Sequence, residues 1–140
     1  MDIESMSVET DLFEPREVKP HFINPCCFGE DFALWLREQV ADLTGAGFQL
    51  SQPIQEDYGW GFWLTHGRDP FWVTLSFCGE GPTEEPAEWS VSVAYDPGLN
   101  LMKRLFHKPD KEALALLRTR VWQVLGSRPG IRVLTEEGPA

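Results

Sequence analysis

A side chain that attacks, moves a proton or holds a metal has few candidates in these 140 residues: three cysteines, three histidines and some paired acids. His21, Cys26 and Cys27 are ligand types that zinc prefers. Zinc takes four ligands in a structural site, or three and an open position in a catalytic one. Adjacent cysteines lack the usual two-residue gap, and Cys78 is the one further thiol. The spacing predicts no metal. A cysteine nucleophile needs a base in contact and a stabilised thiolate. Cys26 and Cys27 precede a predicted helix, where a thiol pKa falls, but no local motif joins them to a histidine. They are expected to be reduced thiols packed at the helix start.

Carboxylates pair at Glu56-Asp57, Glu84-Glu85 and Glu136-Glu137. Acid/base work needs two carboxyls in a cleft whose environments separate their pKa values. Neighbours in Pro/Gly-rich loops are normally solvated. Glu56 and Asp57 stand out because they lead into an aromatic hairpin. His66 and His107 show no partner in the sequence and read as surface or satisfied side chains. No phosphate loop, dinucleotide fingerprint, serine elbow or metalloprotease helix is present. The residues therefore lean away from an enzyme, and they imply no cofactor.

The balance of charge narrows the partners. The net charge is −10. Residues 1–17 hold six acids against Arg16, a net −5, and residues 103–132 hold eight bases against Asp110 and Glu112, a net +6. An acidic total disfavours general nucleic-acid binding, which needs a surplus of Lys and Arg for phosphate contacts. No run is long enough to span a membrane. The first residues lack the basic and apolar regions of a secretory signal, so a cytoplasmic protein without membrane contact is expected. Three cysteines with no spacing pattern argue against a disulfide scaffold.

The elements that would position these residues centre on 58–78. Two alternating runs flank Gly67-Arg68-Asp69-Pro70, the pattern of a β-hairpin. The first run places Tyr58, Trp60, Phe62 and Leu64 on one face, with Gly59, Gly61, Trp63 and Thr65 on the other. The second places Phe71, Val73, Leu75 and Phe77 opposite Trp72, Thr74, Ser76 and Cys78. A third strand, Glu88 to Tyr95, continues both faces, with Ser90 and Ser92 on the side of small residues. Glycines on one face of a strand let a bulky group lie close, and Trp72 is the nearest candidate.

Helical spacing of Phe32, Leu36, Val40 and Leu43 predicts a first helix over 29–46, ended by Gly45 and Gly47. A second helix is predicted from Asp110, a good N-cap, to Gly126. Its apolar stripe is Ala113, Leu114, Leu117, Val121, Val124 and Leu125. Short strands are expected at 18–23, 48–51 and 131–134. Residues 1–17 are expected to be a disordered acidic tail, 18–135 one domain, and 136–140 a flexible tail. Any contact between the acidic tail and the basic C-terminal third would be loose and screened by salt.

The expected fold is α+β: a two-layer sandwich in which an antiparallel meander of about four to five strands carries two helices on one face. Its size, acidity and topology are similar in a general way to those of small bacterial immunity and inhibitor proteins. The functional expectation is a non-enzymatic protein-binding domain, an acidic inhibitor or adaptor, with a basic protein partner. Its binding residues would be Trp63 and Trp72 on the sheet, and Glu56, Asp57, Glu84, Glu85 and Glu88 beside it. Trp is enriched among residues that dominate binding energy. The alternatives are a small-ligand or peptide binder with Trp63 and Trp72 as stacking walls, and an enzyme using the cysteines or the Glu56-Asp57 pair.

Overall fold

The computed structural model describes residues 3–13, 29–56, 58–78, 87–98 and 105–137. The expected strand at 18–23, His21, Cys26, Cys27, Asp57, Glu84 and Glu85 lie outside them. The chain is α+β with a seven-stranded antiparallel sheet. The strands are β1 (Ile3–Thr10), β2 (Phe48–Leu50), β3 (Ile54–Glu56), β4 (Gly59–His66), β5 (Asp69–Phe77), β6 (Ala87–Tyr95) and β7 (Ile131–Glu137). The helices are α1 (Glu30–Gln39), a 3-10 helix (Ala41–Ala46) and α2 (Lys111–Ser127). Sheet order is β2-β4-β5-β6-β1-β7, and β3 also pairs with β4.

The sheet is larger than expected, and its main addition overturns the acidic tail. β1 lies between β6 and β7 and hydrogen-bonds to both. Met6, Val8 and Thr10 are buried, while Ser5, Ser7 and Glu9 keep some exposure. That is the period-two pattern of a half-buried strand. The acids lie at partly exposed positions and meet bases: Glu4 Oε1 is 3.1 Å from Arg118 Nη1, and Glu9 Oε1 is 3.4 Å from Arg132 Nη2. So the acidic and basic thirds of the chain do meet, through a paired strand and not a loose tail. The expected flexible tail is corrected in part as well. β7 continues to Glu137 and pairs Glu136 and Glu137 with Met6 and Ser5.

The helices follow their apolar spacing. In α2 the six stripe residues are all buried. Asp110 caps it as expected, its carboxylate accepting from the N–H groups of Glu112 and Ala113 at 3.0 and 3.2 Å. The helix runs through Gly126 to Ser127. The first helix is shorter than its pattern. α1 ends at Gln39, and the apolar stripe carries on through the 3-10 helix to Gly47.

These stripes share one core with a single face of the sheet. Trp60, Phe62 and Leu64 of β4, Phe71, Val73 and Leu75 of β5, and Trp89, Val91, Val93 and Tyr95 of β6 are all buried in it. Phe13, just after β1, stacks on Phe32 of α1 with ring centroids 4.2 Å apart. β1, β4, β5 and β6 therefore present their larger apolar side to the helices.

Candidate functional site

The opposite face of the sheet is carpeted with small side chains. Cross-strand pairs run Thr74↔Ser92↔Ser5 and Ser76↔Ser90↔Ser7 across β5, β6 and β1. The Thr74 and Ser92 hydroxyls hydrogen-bond to each other. Ser5, Ser7, Ser76, Ser90 and Ser92 all keep partial exposure. Neither helix contributes to this side, since both spend their buried stripes on the other.

A ridge of aromatic rings stands along one margin of this floor. Trp72 folds across Gly61, where a Cβ would lie 2.5 Å from Trp72 Cζ2 and 2.7 Å from the Val73 carbonyl oxygen. Only glycine lets the indole settle there. Trp63, directly opposite Trp72, packs on it with ring centroids 4.6 Å apart and planes tilted by 41°. Trp72 Nε1 donates to Tyr58 Oη at 2.8 Å.

Tyr58 thus falls on this face and not on the core face its alternation predicts. The reason is Gly59, whose φ of +153° breaks the pleat, and where a side chain would strike the Leu75 carbonyl. Strand β4 begins only at Gly59, so Tyr58 is free to reach Trp72. Burial, followed by the Glu56 and Asp96 carboxylates, pushes the Tyr58 phenol above its ordinary range despite the lowering effect of the Trp72 hydrogen bond. It stays protonated near neutral pH.

The two indoles named from the sequence are therefore together, but unequally available. Trp72 is 8% exposed and Trp63 is half-buried. In this arrangement the rings pack on each other, too close for a planar ligand between them. Ile54 stands exposed beside them, at the register position opposite Gly61.

Acids mark the ends of the face. Glu56 pairs with Gly59 at the ridge end of β4. Glu88 is exposed and stands directly opposite Glu9. Like charges facing each other across an antiparallel pair are destabilising. Arg132 reaches Glu9, whereas Glu88 makes no salt bridge among the described residues. Cys78 lies beside Glu88 as an exposed free thiol, and burial, then the Glu88 charge, raise its pKa. At neutral pH it is a poor nucleophile.

A second group of polar residues was not visible in the sequence. His66 and His107, which show no partner in the sequence, both find one in the fold. His107 Nε2 lies 2.6 Å from Oδ1 of buried Asp69, whose Oδ2 accepts from the Asp110 N–H at 2.8 Å. His66 Nδ1 is 4.0 Å from Asp110 Oδ2, and its ring packs on Phe48. Asp69 enters β5 from the β4–β5 turn, so one carboxylate ties this turn to the start of α2. A His–carboxylate pair is two thirds of a hydrolytic triad. Among the described residues, however, no hydroxyl or thiol hydrogen-bonds to the other imidazole nitrogen. No group of His, Cys, Asp and Glu among them has metal-binding geometry.

No protein family, curated protein or solved structure matches this chain. Among the described residues no helix is long and apolar enough to cross a membrane.

Proposed function

We propose that this protein is a non-enzymatic binding domain, a small acidic inhibitor or adaptor, that takes a protein partner against the helix-free face of its sheet. One observation carries the reading: an aromatic ridge of Trp63, Trp72 and Tyr58 beside a hydroxyl floor, on the side that neither helix covers. Five strands at about 4.8 Å spacing, each about eight residues of roughly 3.4 Å rise, make a face of roughly 600 Å². That approaches the roughly 800 Å² that one partner buries in a standard interface. Trp and Tyr are favoured as central anchors because they bring large apolar area with a polar tip.

The sign of the partner follows from the facing Glu9 and Glu88, with Glu56 at the ridge end. A basic partner would relieve the repulsion that the free protein carries there, and it would find its site faster.

Trp63→Ala and Ser92→Arg test this. Ser92 is central on the floor, and arginine there blocks close approach. Wild type immobilised in extract from its native cell is expected to retain a stoichiometric protein, and each variant, still folded by circular dichroism, to lose it. Retention that is equal for all three proteins refutes the face as the site. A small molecule that co-purifies in place of a protein would favour the ligand-binding alternative.

A further inference from the structure

A second site lies on the far side of the molecule, between the two helices. A cleft of about 280 Å³ opens there, walled by Trp35 and Gln39 of α1 and by Arg120, Gln123 and Val124 of α2, with Arg128 just beyond the helix end. We infer that this cleft binds a small aromatic anion, a single ring carrying a phosphate or carboxylate.

The size comes first. At about 30 Å³ per water the space holds roughly nine waters, which matches a ligand of about ten non-hydrogen atoms. The apolar part of the wall is Trp35 with Val124. Trp35 spends one side on Phe13 and Phe32, at 5.5 and 6.1 Å between centroids, and the rest of its half-buried ring lines the cleft. Gln39 and Gln123 supply amide donors and acceptors at the rim.

The sign of the charge comes from the arginines. Among the described residues no Asp or Glu lines the cleft, in a protein whose net charge is −10. Arg120 Nη2 is shared between the Gln39 carbonyl at 3.2 Å and Asp42 Oδ2 at 3.1 Å. Its Nε is buried and has no hydrogen-bond partner. A nitrogen so enclosed is out of reach from the cleft, so what Arg120 offers a ligand is its charge. Arg128 is exposed, donates to the Pro129 carbonyl at 3.0 Å, and makes no salt bridge among the described residues. Most of its planar fork is free, and that fork suits the two oxygens of a carboxylate or phosphate.

A plainer role for Arg128 is to offset the negative end of α2, whose last turn holds no basic residue. The two roles separate by experiment. Phenyl phosphate titrated into protein labelled with nitrogen-15 in its indoles is expected to move the Trp35 resonance, assigned by Trp35→Phe, saturably. The expected Kd is about a millimolar, on the scale of weak ligands of this size. Phenol, which has the ring without the charge, should bind at least about tenfold more weakly, the factor set by one charge-assisted contact. Arg128→Gln should weaken phenyl phosphate by a similar factor, about tenfold, with the melting temperature unchanged. Benzoate in place of phenyl phosphate tells carboxylate from phosphate. No saturable shift at Trp35, equal binding of phenol, or undiminished binding to Arg128→Gln would each refute the site.

Discussion

The two faces of this sheet are built from the same strands, yet they solve opposite problems. On the helix side, alternate residues are Trp, Phe, Leu and Val, and they interlock with α1 and α2 in one core. On the other side, the intervening residues are Ser, Thr, Ala and Gly, and the large rings gather at one margin. Serine contributes almost nothing to a core, so a carpet of serines is not there for stability. The face that could have been made more apolar was instead kept low and half-wet. The contrast teaches where to look for function: on the side where the strands give up burial that their partners' positions would have allowed.

Mutations should therefore divide by face. The largest effect is expected from removing β1, since both faces lose a strand from within the sheet. A protein lacking residues 1–10 should show no cooperative thermal transition by circular dichroism. Retention of a normal melt would mean that β6 and β7 close up without it. Next comes the core face. Trp60→Ala should cost about 3–5 kcal/mol in denaturant melts, the range for truncating a large buried aromatic ring.

Gly61→Ala sits between the faces in size. The new methyl meets Trp72 and the Val73 carbonyl, so a loss of about 1–3 kcal/mol is expected, as for overpacking. A neutral result would show that Trp72 lifts easily and that the ridge is not fixed. Trp63→Ala should cost about 1 kcal/mol or less, as befits a part-exposed site away from the core. If it costs as much as Trp60→Ala, the two faces are not functionally distinct. The smallest effect belongs to Glu88→Gln. Removing the charge that faces Glu9 should stabilise by a few tenths of a kcal/mol at low salt, and the gain should vanish at high salt.

Much of the core face was legible in the sequence. The alternation in 60–77 and 89–95 places each large apolar residue correctly, and the stripe and cap of α2 are as read. What was missed has physical causes. In β1 the alternation of Met6, Val8 and Thr10 with Ser5, Ser7 and Glu9 is present, but the count of acids outweighed it. A strand supplied with partners on both sides tolerates charges that an isolated segment of that composition would not. Tyr58 was put on the wrong face because alternation assumes an unbroken pleat, and Gly59 breaks it. The Asp69–His107 contact joins residues 38 apart, and spacing gives no hint of it. Of the candidate site, the membership of the small-residue face was readable. That Trp72 would lie flat on Gly61, and so leave Trp63 as the more available indole, depended on a side-chain direction that the sequence does not carry.

The placement of β1 also sets an order of events. Its residues are synthesised before every other strand, yet Val8 pairs with Trp89 on one side and Val133 on the other. The hairpin of β4 and β5, with β6, can assemble from near neighbours, while β1 must wait for β6 and the sheet is completed only when β7 leaves the ribosome. Contacts so distant along the chain slow folding, because the loop must close before any of them forms. Until β7 arrives, β1 presents a bare edge able to recruit a strand from another molecule. A truncated chain that lacks β7 would hold that vulnerable state open, and production of this protein should be limited by aggregation of such unfinished chains more than by the stability of the finished one.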